Sequence, residues 1–250
     1  LPLLHATIVA PEKVRALVEQ YLETASLSPS AVNDYLDSPA LFFARRVLRI
    51  KEPPVPALVY GNAIHAALAA ALQGAPEEES YAALERAFGH SLLPRDATFE
   101  KLRSEAREAL AATLSELPSL GTPVHVEKSF SLVRTASGKP VTLAGKIDAA
   151  FMSEGRLFVT DFKTGSEVSA KNADYARQLA LYAALLDANK ESTADALLLG
   201  ISRDGIKRVS VPVGKVEQES ALVEVDAVVS ELRSGAWRRG AAGDYDALLK

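Results

Sequence analysis

Residues 145–165 read GKIDAAFMSEGRLFVTDFKTG, a stretch in which each of two apolar runs carries an aspartate. Two apolar runs flank a Ser-Glu-Gly turn, a pattern that predicts a β-hairpin. Because side chains alternate between the faces of a strand, Asp161 and Lys163 share one face of the second strand and Phe162 lies on the other. Burying an unpaired charge is costly, so charges in such a hairpin are expected to be paired, bound to metal or functional.

The first strand of this hairpin carries two charges of its own, Lys146 and Asp148. Antiparallel pairing across the short turn would let Asp148 and Asp161 converge. Two carboxylates at close range repel each other and form a natural site for a divalent cation. The alternative is a strand edge at the surface with a solvated pair of Asp161 and Lys163, and these residues alone leave it open.

Four further residues are candidates for the same site. Glu127, in HVEKSF, could present a third carboxylate. Gln178 and Tyr182, in YARQLALY, lie four apart and share a helix face, which is also typical of an ordinary amphipathic helix. His65, in GNAIHAAL, stands alone on an apolar helix, where a hydrogen-bonded core histidine is the alternative to a ligand. The order of these features along one chain is more specific than any one of them.

Apolar spacing predicts helices in the first half of the chain and a sheet in the second. Helices are predicted at 11–21, 28–36, 40–50 and 61–72, two between 77 and 117, and others at 171–188 and 215–232. Strands are predicted at 124–133, 141–152, 157–162, 196–202 and 206–213, with a linker at 51–56. The fold class is therefore α/β (α+β), with one central sheet flanked by helices.

Composition excludes several classes of protein. The 250 residues include no cysteine, which rules out disulfides, zinc–thiolate sites and iron–sulfur clusters. No apolar run approaches the roughly 20 residues of a membrane span, there is no signal pattern, and no P-loop motif occurs. The net charge of −4 gives no overall basic footprint for nucleic acid. The first residue is Leu1 and the single methionine is Met152, so we expect a segment of a longer protein. The expected location is the cytoplasm of a bacterial-type cell.

The set of motifs resembles the RecB-like nucleases of the PD-(D/E)xK superfamily, which include nuclease domains of helicase–nuclease machines and CRISPR-adaptation exonucleases. The matching pieces are LSPSAVNDYLDSPALFFARRVL, YGNAIHAAL, VEKSF, LAGKIDAAF, VTDFKTG and YARQLALYAALL, between Leu27 and Asp187. The resemblance implies a restriction-endonuclease-like core with a mixed sheet of about five strands. It divides the chain into a helical region contributing His65 (1–120), a nuclease core (121–235) and a tail packing back on the domain (236–250).

The resemblance also implies a metal site. Asp148 and Asp161 would ligate Mg²⁺ or Mn²⁺, helped by His65 and the backbone carbonyl of Phe162. Glu127 would be a further acidic contributor. Oxygen ligands suit hard cations such as Mg²⁺, and a histidine nitrogen makes Mn²⁺ acceptable.

The remaining motif residues would act in catalysis. Lys163 would position or activate the attacking water and stabilise negative charge, while Gln178 and Tyr182 would orient Lys163 and the DNA backbone. The implied function is a DNA nuclease, an exonuclease acting on single strands or duplex ends, with a helicase domain in the same polypeptide or complex and no membrane partner. The alternatives are a non-catalytic DNA-binding scaffold of the same fold and a soluble α/β protein whose Asp161–Lys163 pair is structural.

One branch of this family carries an iron–sulfur cluster that this chain lacks. Ser38-Pro39 stands where a Cys-Pro is expected, and GAAGDYDALL stands where three further cysteines would be. The two termini must then dock by packing, for which Phe42, Phe43, Trp237 and Tyr245 are candidates.

Basic residues form three local clusters that either contact DNA phosphates in one groove or are solvated surface groups. They are Arg45, Arg46, Arg49 and Lys51; Arg203, Lys207 and Arg208; and Arg233, Arg238 and Arg239.

Overall fold

The computed structural model describes residues 7–51, 53, 55–164, 168–193 and 195–238, with side chains from 10 to 237. The helices in this part of the chain are α1 (Glu12–Thr24), α2 (Pro29–Asp37), α3 (Pro39–Phe42), α4 (Pro56–Leu72), α5 (Glu77–Gly89), α6 (Ala97–Glu116), α7 (Ala173–Ala188) and α8 (Lys215–Ser234). The strands are β1 (Thr7–Val9), β2 (Thr122–Ala136), β3 (Lys139–Ser153), β4 (Arg156–Thr164), β5 (Asp195–Ser202), β6 (Gly205–Val211) and β7 (Ala236–Arg238). None of these helices combines the length and apolarity that a membrane span requires.

Five strands form a mixed sheet in the order β2-β3-β4-β5-β6. Strands β3 and β4 are antiparallel and joined by Glu154-Gly155, both at positive φ (51° and 75°), which fits a two-residue hairpin turn. Strand β5 runs parallel to β4, and α7 provides the connection between them, whereas β6 returns antiparallel. The α/β class and the restriction-endonuclease-like mixed sheet predicted from the sequence are confirmed.

The chain forms two compact units that are discontinuous in sequence. Unit 1 comprises Leu1–Lys51, Phe130–Gly145 and Lys215–Lys250, and unit 2 comprises Glu52–Ser129 and Lys146–Gly214. The division into 1–120, 121–235 and 236–250 that the family resemblance implies is based on the order of elements along the chain, whereas these units are based on contacts. That division stays a prediction.

In unit 1, serines begin two successive helices. Ser28 Oγ accepts a hydrogen bond from Ala31 N at 3.1 Å, and Ser38 Oγ accepts one from Leu41 N at 3.4 Å. The helix predicted at 40–50 ends earlier than expected, because α3 continues into a π-helical turn that ends at Val47. Ser38, which stands where the family resemblance leads to the expectation of a cysteine, thus caps a helix.

Aromatic packing holds the ends of unit 1. The ring of Phe42 lies edge-on to those of Tyr21 and Tyr35, at centroid distances of 5.5 Å and 5.9 Å. Phe43 packs against Trp237, which is fully buried on β7, the strand that pairs with β1. The contact between Phe43 and Trp237 joins the two terminal segments as predicted, whereas Phe42 packs on rings of the N-terminal segment. Tyr245 lies outside the described residues.

In unit 2, helices pack on the sheet and position one helix face for the site. Helix α4 begins at Pro56, five residues before the predicted start at Gly61, because Pro56 at the first helical position supplies a favourable φ. The buried core includes Ile64 and Leu68 of α4, Leu84 and Phe88 of α5, Leu110 of α6, and Phe151, Phe162, Leu199 and Ile201 of the sheet. Each such side chain contributes roughly 1.5–3 kcal/mol.

Candidate functional site

A cavity of about 560 Å³ lies in unit 2 between α4 and the neighbouring strands. Its α4 wall consists of residues three to four apart, which share one helix face. The lining residues are Ala57, Leu58, Gly61, Asn62, His65, Ala66, Ala69, Glu127, Lys146, Asp148, Phe162, Lys163 and Thr164.

Backbone pairing between β3 and β4 ends at the site. The paired register runs from Ser153↔Arg156 to Ala149↔Thr160, and the next residues along the two strands are Asp148 and Asp161. Beyond that point the Phe162 N–H donates to Asp148 Oδ2 at 2.8 Å, so a side chain takes the place of a backbone acceptor. This bond fixes the Asp148 carboxylate against β4.

Three potential ligands meet in the cavity. One ligand atom from each of His65, Glu127 and Asp148 lies within 4.8 Å of the others. His65 Nδ1 is 3.4 Å from Asp148 Oδ1, and His65 Nε2 is 3.0 Å from the carbonyl oxygen of Phe162. The structure therefore brings His65, Asp148 and the Phe162 carbonyl together as the sequence predicts, and it adds Glu127 directly to them.

Glu127 reaches this position through an unusual backbone conformation. Its φ of 52° lies in the left-handed region although it belongs to β2. Such a conformation costs a non-glycine residue on the order of 1–3 kcal/mol and is concentrated at functional sites. It also interrupts the two-residue alternation, so the direction of the Glu127 side chain could not be read from the pattern of the strand.

Asp161 is engaged by protein groups. It is only 2% exposed, and its Oδ2 lies 2.6 Å from Lys163 Nζ. Gln178 Nε2 donates to Asp161 Oδ1 at 3.0 Å and also lies 2.9 Å from the Tyr182 hydroxyl. Burial, followed by the charge of Asp148, raises the pKa of Asp161 to about 6, against the lowering effect of Lys163.

The protonation of His65 follows from its two neighbours. The Phe162 carbonyl can only accept, so Nε2 carries a proton when it makes that bond, and Nδ1 faces a carboxylate. Burial lowers the pKa of His65, but the hydrogen bond and charge of Asp148 and the charge of Asp161 raise it by more, so the net shift is upward. A cation could bind His65 Nδ1 only while that atom carries no proton.

The donor set fits a hard divalent cation. Two carboxylates, a carbonyl and one imidazole are the ligand types that Mg²⁺ and Mn²⁺ accept. Asp161, predicted as a ligand, has its oxygens directed at Lys163 and Gln178 here. The metal-binding roles of His65, Asp148, Asp161 and Phe162 stay predictions.

Lys146 is a member of the site to which the sequence assigned no role. Its ammonium group forms a close ion pair with Glu127 and lines the cavity. The alternation of β3 places Lys146 on the same face as Asp148, two residues away, and that was the available signal. Asn62 and Thr164, which also line the cavity, carried no comparable signal.

Several residues of the basic clusters bind groups within their own unit. In unit 1, Asp34 accepts from Arg45 at 2.9 Å and from Arg46 at 2.6 Å, and Arg233 donates to the carbonyl of Pro140 at 2.9 Å. In unit 2, Arg208 donates to Ser119 Oγ at 2.5 Å. The side chain of Arg238 and all of Arg239 lie outside the described residues, and a common DNA groove stays a prediction.

Three kinds of comparison relate this chain to known proteins. A family model described as "PD-(D/E)XK nuclease superfamily" matches residues 26–248. A crystal structure of a "Putative exonuclease" from Eubacterium rectale is 13% identical, covers 95% of this chain and 92% of its own, and superposes with a TM-score of 0.57. The crystal structure of SSO0001 is 12% identical with 88% and 86% coverage and a TM-score of 0.42. No curated protein matches in sequence.

Proposed function

Because this chain belongs to the PD-(D/E)XK nuclease superfamily, we propose that it is a divalent-metal-dependent DNA nuclease that hydrolyses phosphodiester bonds as an exonuclease. The observation that carries the proposal is the meeting of His65, Glu127 and Asp148 within 4.8 Å, in a cavity that Lys163 also lines. A fold alone would not require three such groups to share one cavity.

His65, Asp148 and Glu127 would hold Mg²⁺ or Mn²⁺, together with the Phe162 carbonyl and Asp161. When bound, such an ion supplies a Lewis acid for a phosphoryl oxygen and lowers the pKa of water. The Phe162 N–H holds one oxygen of Asp148 and leaves the other toward His65. The ligands are thus preorganised before substrate binds, and positioning of this kind is a main requirement of phosphoryl transfer.

Lys163 is the residue placed to act on the phosphate. Asp161 and the Gln178 Oε1 atom, at 2.6 Å and 3.4 Å from Nζ, hold its ammonium group at the cavity wall. There it would donate to a phosphoryl oxygen or orient the attacking water. Gln178 donates from Nε2 to Asp161 and lies beside the hydroxyl of Tyr182, so its amide orientation is fixed and its oxygen faces Lys163. Burial raises the pKa of Tyr182, so that hydroxyl stays neutral.

The biological setting is proposed from the likeness to relatives. The description of the Eubacterium rectale neighbour as an exonuclease supports removal of nucleotides from DNA ends. The resemblance to RecB-like nucleases supports a role in DNA repair or recombination, in the cytoplasm, with a helicase domain as partner.

Digestion of end-labelled DNA tests the proposal. Single- and double-stranded oligonucleotides, with free and chemically blocked ends, are incubated with Mg²⁺, Mn²⁺ or EDTA. We expect metal-dependent release of short products from free ends only. Cleavage within strands whose ends are blocked would contradict exonuclease activity and indicate an endonuclease. DNA binding with no turnover under any metal would contradict the nuclease and support the scaffold alternative.

A further inference from the structure

A second cavity, of about 550 Å³, borders the first one in unit 2. The two share Ala57 and Thr164 as lining residues. Thr164 pairs with Ile201 on the parallel neighbour strand, so the second cavity lies at the end of β5 as the first lies at the end of β4. Open sheets of this kind bind ligands beyond the carboxyl ends of parallel strands.

The chemistry of the second cavity differs from that of the first. Its walls include the half-buried ring of Tyr60, which packs against the core, with Leu102 and Ile201. Among the described residues, the Tyr60 hydroxyl and the Asp204 carboxylate have no hydrogen-bond or ion-pair partner. Burial, then the charges of Glu105 and Glu108, raises the pKa of Tyr60, so its ring is a neutral surface.

These features suit a base better than a phosphate. Two carboxylates, Glu105 and Asp204, and one guanidinium group, Arg203, line the cavity, so its charged side chains sum to a net negative charge that disfavours a phosphodiester. Carboxylates accept hydrogen bonds from the amino groups of bases. An aromatic ring on an apolar floor offers a stacking surface that every base can use. The volume lies within the usual range for small-ligand sites, roughly 300–1,000 Å³.

We propose that this cavity is a nucleobase subsite, in which the base of a nucleotide next to the scissile phosphate stacks on Tyr60 and presents its amino edge to Asp204. The inference rests on the proposed nuclease function and deepens it. Tyr60 and His65 are five residues apart on α4, a rise of about 7.5 Å, so adjacent nucleotides of one strand can occupy the two cavities. A base can enter only when it is unstacked and unpaired, so the substrate class is single-stranded DNA or a frayed end.

Binding without turnover tests the subsite independently of catalysis. Fluorescence anisotropy in EDTA gives dissociation constants for labelled single-stranded oligonucleotides. We expect Tyr60→Ala to weaken binding at least about fivefold, since stacking on an aromatic side chain has that effect. Tyr60→Phe, which keeps the ring, should stay within about twofold of wild type. Tyr81→Ala is the matched control, because Tyr81 packs against the same core but does not line the cavity.

An abasic scan locates the base. Removing one base at a time from the oligonucleotide should weaken wild-type binding at one or two adjacent positions, and the same removal should have no further effect in Tyr60→Ala. A flat scan, or a Tyr60→Ala variant that binds as wild type does, would overturn the subsite. Metal-dependent digestion of the same oligonucleotides is measured in parallel. Turnover with a flat scan rejects the subsite alone, and absence of turnover with a localised scan rejects the nuclease alone.

Discussion

Two charged regions of unit 2 use the same residue types in opposite ways. On the helical surface, Glu85 lies 2.5 Å from each of Arg103 and Arg107. Burial is the largest single influence and raises the pKa of Glu85, but the hydrogen bonds and charges of the two guanidinium groups together lower it by more. In the candidate site, burial and the neighbouring Asp148 raise the pKa of Asp161. Two guanidinium groups compensate the carboxylate of Glu85, whereas burial and a neighbouring carboxylate outweigh the ammonium group beside Asp161.

The difference shows what each cluster is suited to do. The charge of Glu85 is already balanced by two arginines, so it does not require a cation. Its cluster therefore serves to connect α5 to α6. The site brings three carboxylates, those of Glu127, Asp148 and Asp161, to two ammonium groups and one imidazole. Once the imidazole is neutral, a negative charge remains for an added cation to balance.

The largest effect is expected from removing a carboxylate at the centre of the site. Asp148→Ala should abolish turnover and abolish the rise in melting temperature that millimolar Mn²⁺ produces in wild type, because binding to the native state is what raises it. Asp195→Ala is the control, since Asp195 forms an ion pair with Arg156 at the start of β5. A melting temperature that still responds to Mn²⁺ in Asp148→Ala would place the ion elsewhere.

Lys163 should separate catalysis from metal binding. Lys163→Ala is expected to lose at least about 100-fold in kcat, the scale of a positioned proton donor or charge. It should keep its Mn²⁺ affinity by calorimetry, since an ammonium group is not a ligand. Lys163→Arg keeps the charge and should recover part of the rate if charge stabilisation is the main role. Loss of Mn²⁺ affinity in either variant would make Lys163 a support of the ligands instead.

Asp161 should lower metal-free stability in a pH-dependent way. The pKa of Asp161 is raised in the folded protein to about 6 from a reference of 3.8. Its contribution to the free energy of unfolding is therefore present at low pH and is lost as pH rises through 6. Asp161→Asn removes this titration and should raise the metal-free unfolding free energy at pH 8 by about 1–3 kcal/mol. The gain should vanish near pH 4. Denaturant melts in EDTA at both pH values measure it, and an equal change at both would contradict the raised pKa.

Glu85 should show the smallest effect and the opposite sign. The pKa of Glu85 is lower in the folded protein than in the unfolded chain. Its contribution to stability is therefore present at pH values above the pKa of the unfolded chain and is lost as pH falls through the pKa of the folded protein. Because the side chain of Glu85 and its two arginine partners are partly exposed to solvent, Glu85→Gln should lower stability at pH 7 by at most about 1 kcal/mol, less in high salt. The difference from wild type should disappear below about pH 4. A larger loss in 1 M salt would exclude an electrostatic cause.

The sequence predicted the elements of the sheet well because their signals are local. Alternating apolar residues defined β3 and β4, and the Glu-Gly pair marked the turn that joins them. Counting residues outward from that turn predicted that Asp148 and Asp161 lie close together on the two strands. In the structure they directly follow the last pair of the register, Ala149↔Thr160. Gln178 and Tyr182 followed from helical spacing in the same way.

What the sequence missed depends on contacts or backbone states without a local signature. The pairing of β1 with β7 joins the two ends of the described chain through strands of three residues, too short to show a period. The left-handed backbone of Glu127 could not be predicted for a non-glycine residue within a strand, and the ion pair with Lys146 follows from it. The early start of α4 has no clear local signal, because a run of prolines is compatible both with a linker and with the first turn of a helix.

The spacing of the site residues along the chain has a consequence for how the site assembles. Phe162 is 14 residues from Asp148, which holds its N–H, but 97 residues from His65, which holds its carbonyl. The entropy of closing the longer loop costs about 2 kcal/mol more than that of the shorter one. We therefore expect the carboxylate arm to form with the hairpin early in folding and the imidazole to arrive last, when α4 docks. Transient undocking of α4 would then release one side of the site while the hairpin keeps the other.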